Sequence, residues 1–195
     1  MTMPLRGVHH LALNTDDMKA TIDFYTEVLG LPLIHAMKVP PGLGIGAGNR
    51  GNPPFENLRH YFFDMGNDST LAFFEIPKGA MPHGDRDAIG GMQHVAFATS
   101  ADGAAELIER LRGRELAYQG PIETLPGLMS VYFFDPNGIR LEFAWRPVDV
   151  AGDIHVIDSV PQTRADAVRE LETLHPDRDW IDRATERGFP ASVRV

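Results

Sequence analysis

The sequence predicts an α+β fold of two tandem βαβββ modules with a short helical extension at the C-terminal end. Three observations carry this expectation. VHHLALNT (8–15) is matched by MQHVAFAT (92–99), which pairs His10 with His94, Leu11 with Val95 and Ala12 with Ala96. YFFD occurs at 61–64 and again at 132–135. Around both matches the same order of strand and helix patterns is written twice, which is the signature of an internal repeat.

Each element has its own reason. In the first copy, alternation predicts a strand over 6–14. Met18, Ile22, Tyr25 and Leu29 then give a helix from about Asp16 to Leu29 one apolar face. Thr15 or Asp16 can cap that helix, and Gly30 sits where a C′ glycine belongs. Strands follow near 32–39, 59–65 and 70–76. In the second copy a strand is expected over 91–99 and a helix over 101–112 after Ser100. Strands near 115–120, 129–135 and 138–145 complete it, with DPNG (135–138) as the turn between the last two. The two matches are spaced unequally, and the difference is assigned to a longer loop in the first copy, 40–57. Beyond Arg146-Pro147 the module pattern stops, and two short helices are expected near 163–174 and 177–187. The expected boundaries are 1–80 for the first module, 81–147 for the second and 148–195 for the extension.

Composition narrows the function classes. The chain has 195 residues, a formal net charge of −9 and no cysteine. Disulfides and thiolate metal sites are therefore out. With no basic cluster, the charge argues against nucleic acid as a partner. The start, MTMPLRGVHH, lacks a basic region followed by an apolar run, and no window approaches the ~18 apolar residues of a membrane span. A cytoplasmic protein that binds neither membrane nor nucleic acid is the expectation.

The adjacent histidines His9 and His10 cannot serve one site, because successive strand side chains point to opposite faces. Only His10 is repeated; His9 pairs with Gln93. A pseudo-two-fold axis would bring His10 and His94 face to face. Glu142 lies between Leu141 and Phe143 in the last strand of the second copy, where an unpaired carboxylate would be costly. Two imidazoles and one carboxylate with other positions open form the facial triad of non-haem Fe(II) oxygenases, with Mn, Zn or Ni as chemical alternatives. Aligning LAFF (71–74) with LEFA (141–144) sets Ala72 opposite Glu142, so three protein ligands are expected. Glu75 should face the other way.

The motifs VHHLALNTDDMKATIDFYTEVLGL, HYFFDMG, GMQHVAF and YFFDPNGIRLEF together resemble the vicinal oxygen chelate superfamily, over about residues 5–146. That superfamily includes glyoxalase I, fosfomycin-resistance and bleomycin-binding proteins, and type I extradiol dioxygenases. The resemblance implies a cupped mixed sheet around a metal site, with His10, His94 and Glu142 at its ligand positions. It also implies a choice among branches. Glyoxalase I uses a fourth ligand, a glutamate where this chain has Ala72. The bleomycin-binding branch lacks the metal ligands. Extradiol dioxygenases use two His and one Glu and place a tyrosine ten residues before the Glu, where this chain has Tyr132. Tyr132 would then stabilise an anionic oxygen or relay a proton, and Tyr61 is read as its repeat. The acid–base histidines of that branch have His83 as their nearest counterpart, several residues off the usual spacing, and Glu123 stands where a further one would precede Tyr132.

The expected function is an Fe(II) extradiol ring-cleavage dioxygenase taking a small aromatic diol and O₂, and working as a homodimer. The alternatives are a glyoxalase-like divalent-metal isomerase or lyase on a small hydroxy-carbonyl compound, and a non-catalytic small-ligand binding protein. Other histidines carry less. His60 alternates with Tyr61 and is expected to turn away from the site, while His35 and His155 have no supporting pattern. GLGIGAGNRG (42–51) is not followed by a helix and is read as a loop near the pocket, not a dinucleotide site. Trp145 and Trp180 are read as packing residues.

Overall fold

The computed structural model describes residues 7–40, 57–147, 162–186 and 188–189. The loop 42–51 and His155 lie outside the described residues. Strands β1 (His10–Thr15), β2 (Leu33–Lys38), β3 (Arg59–Gly66) and β4 (Ser69–Glu75) form one four-stranded sheet in the order β1-β4-β3-β2. Strands β5 (Val95–Ala98), β6 (Tyr118–Leu125), β7 (Leu128–Phe134) and β8 (Arg140–Trp145) form a second in the order β5-β8-β7-β6. In both, the first strand runs parallel to the last and the other pairs are antiparallel. Two βαβββ modules are thereby present in the order the repeat predicts.

Alternation along the strands builds the core. Leu71 and Phe73 on β4, Val131 and Phe133 on β7, and Leu141 on β8 point toward the helices and are almost fully buried. Burying a side chain of this size contributes roughly 1.5–3 kcal/mol. The residues between them, Ala72, Tyr132 and Glu142 among these, point to the opposite face.

Helix α1 (Met18–Asp23) is shorter than its apolar spacing predicts and continues as a π-helical turn, Phe24–Val28. The wider turn carries two adjacent aromatics into the core. Phe24 packs toward Phe133, and Tyr25 packs against Phe63 and Phe73. The cap is Asp17, whose carboxylate accepts from the Ala20 amide at 2.9 Å; the expected Thr15 bonds to the Asp17 amide instead. Gly30 adopts φ +75°, and a Cβ there would lie 2.8 Å from the Arg110 guanidinium. That guanidinium donates to the Val28 carbonyl at 3.3 Å.

Helix α2 (Ala101–Gly113) is capped by Ser100 and buries Ala104, Leu107, Ile108 and Leu111, one stripe at helical spacing. The seam between modules is also polar. The Tyr25 hydroxyl donates to the Asp135 carboxylate at 3.1 Å, and Thr15 donates to the Asn137 side chain at 2.7 Å. Helices α3 (Arg164–Leu174) and α4 (Arg178–Thr185) match the expected extension, with Thr163 and Asp166 forming a capping box. They pack on one another, joined by Arg164–Asp182 at 2.6 Å and Arg178–Glu172 at 2.7 Å. Among the described residues no helix is long and apolar enough to cross a membrane.

Candidate metal centre

The ladders fix which residues share a face. Ala96 lies beside Glu142, and Glu142 beside Tyr132. The matching row of the first module is Ala12, Ala72 and Phe62, extended by His35. Ala72 therefore stands in the place of Glu142, as the LAFF/LEFA alignment predicts. The literal YFFD match is one residue out of step, because Tyr132 corresponds to Phe62 and not to Tyr61. In a strand a one-residue slip exchanges the two faces. Tyr61 packs into the core beside Phe73, and His60 joins the face that carries His10 and Phe62. The expectation that His60 turns away is corrected on this ground.

On the second sheet the pieces of a metal centre meet. Glu142 is buried, with 6% of its surface exposed, and its Oε2 lies 2.9 Å from His94 Nε2. Its other oxygen accepts from the Ser130 hydroxyl at 2.6 Å. The remaining His94 nitrogen meets the Gln93 side-chain oxygen. Both groups are thus oriented from behind, as ligating residues need. Tyr132 stands edge-on to His94, ring centroids 6.1 Å apart, with the Arg140 guanidinium 4.3 Å above its ring. Burial, reinforced by the Glu142 carboxylate, raises the Tyr132 hydroxyl above the ordinary phenol pKa, so it holds its proton at neutral pH.

His10 is not gathered into this group. Its Nδ1 lies 2.9 Å from His9 Nδ1, and its ring meets Phe62 edge-on at 6.2 Å. Among the described residues no three His, Asp or Glu side chains converge as a ready metal cage. The His94–Glu142 pair still fits a divalent ion: an imidazole nitrogen and a carboxylate oxygen face each other, and the carboxylate is sunk where an unpaired charge would be costly. His83 lies elsewhere, its Nδ1 3.2 Å from the Asn137 carbonyl.

The contacts of Ser130 with Glu142 and of Gln93 with His94 escaped the sequence reading. Ser130 was accessible to it, because two residues before Tyr132 on one strand is the same face. The first-module face holds a further cluster in which Phe62 is approached edge-on by His35 at 5.9 Å and His60 at 4.3 Å. His60 stacks on Phe74 at 3.7 Å, and its Nδ1 lies 3.3 Å from the Phe73 carbonyl.

A family model described as Glyoxalase/Bleomycin resistance protein/Dioxygenase superfamily matches residues 7–143. The Bacillus subtilis (strain 168) protein MhqA, whose name assigns it ring-cleaving dioxygenase activity provisionally, is 32% identical over 140 residues, 71% of this chain and 40% of that protein. An iron-dependent extradiol dioxygenase of Rhodococcus jostii (strain RHA1) is 26% identical over 141 residues, 71% of this chain and 42% of that one. The chain thus spans about two-fifths of the length of these relatives. Among solved structures, a glyoxalase/dioxygenase from Nostoc punctiforme aligns at TM-score 0.56 and 25% identity, covering 76% of this chain and 97% of that one. A glyoxylase/bleomycin resistance protein/dioxygenase domain from Frankia sp. EAN1pec aligns at TM-score 0.57 and 21% identity, covering 75% and 96%, which speaks to the fold alone.

Proposed function

The chain belongs to the Glyoxalase/Bleomycin resistance protein/Dioxygenase superfamily, and from that premise we propose that it is an Fe(II)-dependent extradiol dioxygenase acting on a small catecholic substrate with O₂. The observation that carries this reading is the buried Glu142 carboxylate facing His94 Nε2, with Tyr132 beside it in the same row. Relatives named as ring-cleaving and iron-dependent extradiol dioxygenases support it.

His94 and Glu142 would hold the ion, and His10 would add a third donor once its ring turns from His9. Mn, Zn or Ni would suit the same donors. When bound, ferrous iron supplies Lewis acidity toward the two hydroxyls of a catechol and a route for electrons to O₂. The chain's own groups do the rest. Ser130 fixes the Glu142 carboxylate and Gln93 the His94 ring. The proton-retaining Tyr132 hydroxyl donates to an oxygen of the substrate that carries negative charge, under the nearby Arg140 guanidinium. His83 hydrogen-bonds the Asn137 carbonyl on the turn into β8, so its part in proton handling stays secondary to that of Tyr132. Ala72, fully buried in the place that matches Glu142, leaves no fourth carboxylate for a four-ligand isomerase.

A cytoplasmic homodimer completes the proposal. Leu33 and Ile34 are exposed on the edge strand β2, and Ile122 and Leu125 on the edge strand β6, which gives a second copy apolar edges to cover. The test of the reaction is anaerobic reconstitution with Fe(II), followed by oxygen uptake against a panel of catechols. Stoichiometric metal with a yellow ring-opened product and matching O₂ consumption is the expected result. Metal binding without O₂ consumption by any catechol would overturn it.

A further inference from the structure

A cavity of about 400 Å³ lies at the end of the first sheet, where β2 finishes, β3 starts and β4 passes into the linker. Lys38, Arg59 and Glu75 stand there in one row, on the face that carries Tyr61 and Phe73 into the core. Alternation therefore sets them on the opposite face from His10, Phe62 and Ala72. His10, His94, Glu142 and Tyr132 do not line this cavity.

Its charges are not balanced. Lys38 and Arg59 are direct partners in the β2–β3 ladder, an arrangement that costs stability when both residues carry the same sign. Lys78 adds a third cation from the linker. Against them stand two carboxylates, Glu75 and Asp16. Glu75 is already engaged, pairing with Arg59 and accepting from the Met18 amide at 3.0 Å. Among the described residues Lys38, Lys78 and Asp16 form no ion pair. The lining thus keeps a positive excess in a chain whose net charge is −9. Natural chains break a local pairing rule mainly where a site requires it.

We propose that this cavity binds a phosphate monoester, with the phosphate held by Lys38, Lys78 and Arg59 and the organic part laid on an apolar wall. Lysine ammonium groups serve phosphate oxygens as point charges. The Arg59 guanidinium has more N–H donors than the Glu75 carboxylate can take, and the Asn57 side-chain amide supplies another at the rim. Leu58, Ile76 and Pro77 make the apolar wall. Leu58 and Ile76 are buried and continue into a small cluster with Val39 and Phe74. A space of roughly 150 Å³ is enough for benzene, so the cavity has room for an aromatic ring beyond the phosphate. Asp16 is the group that opposes binding.

The test titrates phenyl phosphate, inorganic phosphate and benzoate into the full chain by calorimetry, at an ionic strength held constant with sodium chloride. Wild type is compared with Lys38→Gln, Lys78→Gln and Asp16→Asn, with the melting temperature of each recorded. Wild type should bind phenyl phosphate saturably and about tenfold more tightly than inorganic phosphate, through burial of the ring. Benzoate should bind more weakly than phenyl phosphate. Each lysine variant should weaken phenyl phosphate by about tenfold, the loss of one charge-assisted hydrogen bond. Asp16→Asn should tighten it, because an opposing carboxylate is gone. The two lysines come from β2 and from the linker, so one misfolded variant does not decide the outcome. Equal affinity for phenyl phosphate and inorganic phosphate, or for phenyl phosphate and benzoate, overturns the monoester assignment. Affinity unmoved by both lysine substitutions, or no saturable binding by wild type, overturns the site.

Discussion

Ala72 and Glu142 hold the same place in two copies of one module, each flanked in its sheet by the alanine of the parallel first strand. The carboxylate is present once and its counterpart is a buried methyl group, so the face built by the second module is acidic where the first is not. That asymmetry gives the proposed centre one anionic donor and makes every test of it a test of the second module first.

Replacing His94 with Ala should abolish stoichiometric Fe(II) binding while the circular dichroism and melting behaviour of the fold persist. His10→Ala should weaken binding as well. His9→Ala should retain metal, since its only described role is to engage the His10 ring. Metal analysis of the three purified variants decides; unchanged iron in His94→Ala would remove the centre from this position.

Tyr132→Phe removes a hydroxyl and keeps the ring beneath Arg140 and beside His94. Turnover per bound metal should fall by about 10²-fold, the scale of a lost acid–base group or anion-stabilising donor. Steady-state rates with metal content in the same samples measure this. Activity within a few-fold of wild type, with a lowered melting temperature, would mark Tyr132 as a packing residue.

His60 should make the fold sensitive to acid. Burial holds its imidazole below the usual 6.5, with the nearby His10 and His35 acting in the same direction, so the folded chain takes up its proton later than the unfolded chain does. Stability should therefore fall as the pH drops through 6.5 toward the folded-state value, and level off below it. His60→Phe should flatten that part of the curve. Urea melts at pH 7.5 and pH 5.5 give the comparison, and identical pH dependence in the variant would refute it.

Tyr25→Phe should destabilise the whole chain by about 1–2 kcal/mol, the loss expected for one hydrogen bond to a buried carboxylate. The effect stays modest because Asp135 keeps the Asn137 and Ile139 amides and the Asn137 side chain as donors. Denaturant midpoints at an unchanged m-value would measure it.

Light scattering should find a dimer at micromolar concentration, and Ile34→Lys should shift it toward monomer by charging the exposed edge of β2. A wild-type monomer at that concentration contradicts the assembly.

The order of elements along the chain, the helix positions and the place of Glu142 were legible because each depends on periodicity or on repeat register. The YFFD match misled for a physical reason. Identical letters align by identity, whereas a sheet aligns by faces, and one residue of slip moved Tyr61 onto the face of Tyr132 and His60 off the face of His10. The ladder pairs Phe62 with Ala72 as it pairs Tyr132 with Glu142, which no comparison of letters could supply. The π-helical turn was hidden for a related reason, since Phe24 and Tyr25 look like one inward and one outward residue until the helix widens to bury both. The direction of the His10 ring depends on rotamer and neighbour, and strand alternation is silent on both.

The Tyr25–Asp135 and Thr15–Asn137 bonds join the two copies through side chains contributed by both. A duplicated module begins as two self-sufficient halves. Here one half has placed a phenol, and the other a carboxylate, where each answers the other. Severing the chain in the linker would return the Tyr25 hydroxyl and the Asp135 carboxylate to water at the cost of the bond between them. The symmetry of the repeat survives in the backbone, while these side chains tie one copy to the other.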